Sequence, residues 1–399
     1  MSREDAQRRF RDHGFPTQRL EDWKYTDLGN AARIGELWLA NPDSGTALDE
    51  GQIAEARKTL DANWLVFANG RLVESEVADI EGLEVIPVSE SLSEPLEGQL
   101  ADLNRAYRDE AHRIVVSADF RADKPLGILV ADNAFGAPRM SQLRIDIRVE
   151  ANAALRLVEY HVSSGDDEHY SNAIVTLDLA GGASVEAVRV QARSFDHTQT
   201  HRLQVSMHKD STLRLSGYDL GGRLTRNDLG IDIVEAGADA EFSGLYFASE
   251  GQHIDNHTRV DHRVGPARSA QEYRGILSGR SRAVWNGKAI VHAGADGTDA
   301  TQANHNLLLT EQAEIDAKPE LEIYADEVKC AHGTTVGQLD ENALFYLRTR
   351  GLDEQTARQA LIHAFAAEVA GQSAIAELET PIATLIERRL DEITSDIQS

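Results

Sequence analysis

From about residue 112 to residue 340 the chain alternates apolar and polar residues with a period of two, as in "LRIDIRV", "ALRLVEYHV", "ASVEAVRV", "TLRLSGYDL" and "AEFSGLYF". That period predicts β-strands with one face buried. The strands recur behind small or polar turns. "EANAALRL" places Ala153, "AGGASVEA" Ala183, "HKDSTLRL" Ser211 and "EAGADAEF" Ala238, in steps of 30, 28 and 27 residues. "GRSRAVW" and "TEQAEIDA" then place Ala283 and Ala313, another step of 30. Regular strands with short turns and no interleaved helices suit a solenoid, a sandwich or a barrel. We read a mainly β fold with helical ends, its core a β-helix in which each coil buries one strand face against the next. A large antiparallel sandwich is the alternative that periodicity alone leaves open.

The flanks have a different texture. Residues 1–110 read as a mixed, mostly helical domain, with a short helix in "REDAQRRFRDHGF" ended near Gly14 and Pro16 and an Asn69-Gly70 hairpin in "NWLVFANGRLVES". Residues 111–340 form the β-helix core, and 341–399 a helical domain. In that last region Asp353 is the expected N-cap of a helix with Ala357, Ala360, Leu361, Ala364 and Phe365 on one stripe and Gly371 at its end. Thr380 and Pro381 are expected to open a second helix, with Ile382, Leu385, Ile386 and Ile393 on one face. Such stripes can pack on the parent domain or dock a partner.

Charge narrows the function classes. The formal net charge is −26, so a phosphate backbone is repelled and nucleic acid is not an expected partner. Lys supplies 7 cations against 33 from Arg, a balance that fits a high-salt cytoplasm or a GC-rich genome. No apolar run reaches the length of about 18 residues that a membrane span needs. The charged start "MSREDAQRRFRDHG" shows no secretory pattern, so the cytoplasm is the expected compartment. One Cys excludes an internal disulfide.

Nucleotide and hydrolase motifs are missing. There is no G-x-x-x-x-G-K-[ST], no G-x-G-x-x-G and no G-x-S-x-G, so a nucleotide-driven function would need another subunit. Among the 14 His, His253 and His257 are four apart, as are His197 and His201. On a strand such pairs share a face but stand roughly 13 Å apart, too far for one metal, so solvent-facing or turn histidines are the expectation.

Cys330 and His332, in "VKCAHGTTVGQLD", are two apart. In a strand they share a face at a spacing of roughly 6.6 Å, with Lys329 and Ala331 pointing the other way. Thiolate and imidazole suit iron, zinc or copper. The alternative is a small buried thiol beside a turn-capping histidine. One thiol cannot hold an iron–sulfur cluster, which commonly takes four thiolates, so any such site would be shared with another chain.

Two stretches carry a resemblance. "KPELEIYADEVKCAHGTTVGQLDENALFYLRTRGL" (318–352) resembles the C-terminal signature of the SufD family, a subunit of the SUF iron–sulfur cluster assembly scaffold. "RLEDWKYTDL" (19–28) resembles the same family's early Trp-Lys-Tyr-Thr segment. The resemblance implies a right-handed parallel β-helix that pairs with the paralogue SufB, and C-terminal helices that contact SufC, an ABC-type ATPase. It implies that ATP-driven motion of SufC rearranges the SufB–SufD interface, where a nascent cluster forms. The family's interface histidine maps onto His332, acting with a cysteine from SufB, and the neighbouring family cysteine maps onto Cys330. The expected cargo is therefore a transient iron–sulfur cluster shared with a partner. The chain has no nucleotide site of its own and is not expected to be an enzyme. Self-pairing to a homodimer is plausible when the partner is absent, and the residues leave flavin open. Cys-x-His and the lack of further cysteines favour this subunit type over SufB.

Two other classes compete. A carbohydrate-active β-solenoid would use clustered carboxylates, and no distinctive pair stands out. A purely structural β-solenoid that bridges subunits would leave the Cys–His pair incidental.

Overall fold

A computed structural model describes residues 2–42, 48–88 and 96–396. Its strands form two sheets, one of ten strands and one of nine. From His112–Val116 onward consecutive strands alternate between the sheets, so each coil contributes one strand to either side. Apart from antiparallel pairs at the first end, all neighbours are parallel. This is a parallel β-solenoid, and the antiparallel sandwich is excluded.

The register explains the small-residue spacing. Ala154, Ser184, Thr212, Asp239, Arg268, Asp299 and Lys329 align across successive coils of the ten-stranded sheet. The residues just before them, from Ala153, Ala183, Ser211 and Ala238 to Ala267 and Thr298, are all buried. They sit inside a tight bend, where a larger side chain has no room. The Ser211 hydroxyl donates to the His208 carbonyl at 2.7 Å, and Thr298 does the same to Ala295 at 2.7 Å. Each closes its own bend. Ala283 and Ala313 depart from this scheme. They lie along the other sheet, where Arg282 pairs with Glu314 and Ala283 therefore with Ile315. Their separation of 30 is not a coil step, because that coil advances by 32 residues.

The interior of each coil has two halves. One half is apolar and holds Ile114, Ile145, Ile147, Val175, Leu177, Val205 and Ile231. Farther along the same strand faces, alternation brings polar groups inside. On the strand Ala154–Gly165, Leu155 and Leu157 join the apolar core while Glu159 and His161 continue that face.

Helices cover the outer faces. Arg3–His13 opens with a Ser2 capping box and ends at Gly14 with φ 66°, a conformation glycine adopts without a Cβ penalty. Phe10, Ile34 and Leu103 from the N-terminal helices pack on Met140 and Tyr170 outside the nine-stranded sheet. The Asn69-Gly70 turn links Asn63–Ala68 to Arg71–Ser75, as its sequence predicts.

The C-terminal helices lie on the ten-stranded sheet. Asp353 caps Glu354–Ala370 by accepting from the Thr356 amide at 2.9 Å, and Gly371 ends it. The buried stripe is rotated from the expected one. Ile362, Ala366, Val369 and Ala370 face the sheet with Ala357 also buried, whereas Ala360 and Ala364 are exposed. The bulkier Ile and Val, not the alanines, select the face that removes most apolar area from water. In Glu379–Asp396, Ile382, Ile386, Leu390 and Ile393 are buried, with Leu385 packed at the margin. That helix begins at Glu379, directly after the turn Ala376–Leu378, so Thr380 is inside it and not its cap. Both stripes meet Val158, Tyr160, Val190, Leu245, Phe247 and Ile276 of the sheet, so they pack on the parent fold.

Candidate functional site at the open end of the solenoid

The strand Lys329–Gly337 is the last of the ten-stranded sheet and has a neighbour on one side only, Asp299–Leu308. Glu314–Ile323 ends the nine-stranded sheet in the same way. Among the described residues no further coil covers either edge. A row of unpaired backbone donors and acceptors is a template for another chain. Tyr324 and Val336, 62% and 52% exposed, add apolar surface at this end.

Cys330 pairs with Ala300 and His332 with Gln302. Ala300 and Gln302 are buried interior positions, so Cys330 and His332 continue interior columns to the point where the solenoid stops. Cys330 is half-buried and His332 is exposed, while Lys329 and Ala331 on the opposite face are exposed too. Neither group is sealed within this subunit. Burial pushes the Cys330 thiol up, and Asp299 adds to that, against a hydrogen bond with the Ala300 backbone. The thiol therefore holds its proton at neutral pH until a metal or cation displaces it. An exposed imidazole is the more available ligand of the two.

The early "RLEDWKYTDL" segment reaches the outer face of the nine-stranded sheet. Thr26 is buried there and bonds His253 Nε2 at 2.9 Å as well as the Asp255 carboxylate. Arg226 donates to Asp255 at 2.6 Å and to the Asp22 carbonyl at 2.9 Å, and its guanidinium stacks on Trp23. Burial alone would raise the Asp255 carboxyl, but Arg226 and His257 outweigh it and hold the group well below the usual carboxylate range. A cavity of about 650 Å³ opens between this segment and the sheet. Four of its cations are already paired, Arg226 with Asp228, Arg259 with Asp261, Lys288 with Glu322 and Lys318 with Glu21, and Arg202 donates to the Glu97 carbonyl.

The histidine pairs depart from expectation. His253 and His257 lie on a strand and contact Asp255 and Thr26, not open solvent. His197 and His201 are buried in the polar half of the interior. His201 meets its partners across the coil: its Nε2 and that of His161 lie 2.8 and 2.7 Å from the same Glu159 Oε1. Burial drives His161 down to about 4 despite Glu159, so it is neutral at neutral pH. Burial pushes the Glu159 carboxyl up, but His201 and His161 outweigh this and keep it ionised. The signal was present as "EYH" at 159–161, the same i, i+2 spacing as Cys330 and His332.

The comparisons with known proteins agree with one another. A family model described as "SUF system FeS cluster assembly, SufBD core domain" matches residues 130–365. The iron-sulfur cluster assembly protein SufD of Escherichia coli is 30% identical over 366 residues, 89% of this chain and 85% of that protein. A SufBD family protein of Synechocystis is 29% identical over 91% of this chain and 85% of its own length. One from Mycobacterium tuberculosis is 32% identical over 71% of this chain and 72% of its own.

Proposed function

Because the chain belongs to the SufBD family of the SUF iron–sulfur cluster assembly system, we propose that it is a non-catalytic scaffold subunit that completes a cluster-assembly site together with a SufB-like partner. The observation that carries this reading is the position of Cys330 and His332, on one face of the edge strand at the open end of the solenoid. There they can face thiolates from a second chain that adds to the exposed edges. The nascent cluster is cargo, not a resident cofactor. His332 supplies a neutral imidazole to iron, and Cys330 serves chiefly as packing beside it, since its thiol is held protonated.

The second contact is with a SufC-like ABC ATPase through 341–399. What supports it is the helix Glu341–Thr349, which buries Leu344 but leaves Phe345 and Tyr346, 69% and 55% exposed, without apolar cover. Two exposed aromatics on one short helix are an interface signature. No helix among the described residues is long and apolar enough to cross a membrane.

The test is anaerobic reconstitution with a SufB-like and a SufC-like protein. Complexes carrying His332→Ala should assemble normally yet fail to build or retain a cluster. Unchanged iron and sulfide content would instead favour a purely structural bridging subunit. When the chain is alone, native mass should report self-pairing through the same edge.

A further inference from the structure

The solenoid interior holds a second set of ligand-type side chains, remote in sequence from Cys330 and His332. Glu159 and His161 project inward from the ten-stranded sheet and His201 from the nine-stranded sheet. All three are buried, and their ligand atoms lie within 4.8 Å of one another. We propose that Glu159, His161 and His201 form a binding site for one divalent first-row transition ion inside the coil.

Three observations point there. Two imidazoles and a carboxylate are a donor set that iron(II) and zinc(II) take, with open positions left for water. The three atoms already converge at 2.7 and 2.8 Å, and an ion with bonds of about 2.0–2.2 Å fits after they separate slightly. Finally, among the described residues no Arg or Lys pairs directly with Glu159. Its hydrogen-bond partners are the two imidazoles, whereas the nearby Arg193 is bound to Asp132 at 2.8 Å. A buried carboxylate with no fixed cation of its own is what a bound ion would satisfy. His201 also lines a small cavity of about 30 Å³ with Arg189, Asp219 and Asn227, room for about one water.

Without the ion, protons compete for the site. Arg193 donates to His161 Nδ1 at 3.1 Å, which leaves the His161 proton on Nε2 and directs it to Glu159. Ion entry moves that proton from Nε2 to Nδ1, so the ring stays neutral and Nδ1 becomes a donor. The Arg193 Nη2 group must therefore withdraw from Nδ1, with the guanidinium still held through its Nε by Gln199 at 2.6 Å.

The experiment uses the full chain carrying Cys330→Ser and His332→Ala, so that the open-end site is silent and the outcome is independent of the function proposed above. The protein is incubated anaerobically with iron(II), cobalt(II) or zinc(II), freed of excess ion by gel filtration, and assayed for bound metal. We expect about one equivalent per chain, with cobalt(II) absorption bands of a nitrogen–oxygen site and zinc X-ray absorption showing imidazole ligands. Glu159→Gln, His161→Gln and His201→Gln, each confirmed as folded by circular dichroism, should weaken binding by about tenfold or more. Should any of them fail to fold, the imidazole signature in the parent decides alone. Retention of no stoichiometric ion by the parent, or a bound ion without imidazole ligands, overturns the proposal.

Discussion

The Arg226 guanidinium lies 4.4 Å from the centre of the Trp23 ring, joining the first coil-free segment of the chain to the middle of the solenoid. The same Arg226 is paired with buried Asp255, which Thr26 also contacts. Arg226→Ala should therefore cost roughly 3–5 kcal/mol, because it leaves a buried carboxylate without its cation. Trp23→Ala should cost about 1–2 kcal/mol through the lost cation–π contact. In urea unfolding the two changes should be non-additive, and simple additivity would show that the stacking carries no energy.

At the open end, His332→Ala should leave stability within about 0.5 kcal/mol, since the side chain is exposed. Its effect should appear only in cluster yield within the reconstituted complex. Cys330→Ser should be milder. If it reduces yield as strongly as His332→Ala, the thiol is a ligand and not packing.

Removing 341–399 is a poor test of ATPase docking. The helices Glu354–Ala370 and Glu379–Asp396 cover Val158, Tyr160, Leu245 and Phe247, and their loss would strip an apolar sheet face bare. The sharper variant is Phe345→Ala with Tyr346→Ala. It should preserve the melting temperature while abolishing co-purification with the ATPase, and co-purification at the parental level would place that contact elsewhere.

Acid should destabilise the fold in two stages. Burial drives both His161 and His169 from about 6.5 down to about 4, so the native state resists a proton that the unfolded chain accepts. Stability is then fully present above pH 6.5 and falls as pH drops from there toward 4. The upper part of that window belongs to these histidines. The carboxylates Glu159, Asp132 and Asp255, held low in the fold, contribute their own loss only below the ordinary range of about 4. Urea midpoints between pH 8 and 5 check the first stage, and His169→Asn should flatten the slope.

Much of this was legible in the residues. The bends were marked by Ala153, Ala183, Ser211 and Ala238, because a buried corner admits only small side chains. Cys330 and His332 were legible because one strand places both on one face. What escaped was whatever depends on how one coil lies against another. Ala283 and Ala313 mimicked a repeat because coil length varies from turn to turn. The Glu159–His161–His201 cluster joins residues 42 apart on opposite sheets, a contact that no local period encodes. The helix stripe at Ala360 and Ala364 was misplaced because the choice of buried face rests with the bulkier Ile362 and Val369.

A molecule whose turns touch only their immediate neighbours unravels from its least supported end. Here that end is Glu314–Gly337, held by a single preceding turn, so its amides should exchange with deuterium before those of any inner strand. A partner seated there would act as a clasp, and slowed exchange confined to these residues would mark its footprint without a crystal of the complex.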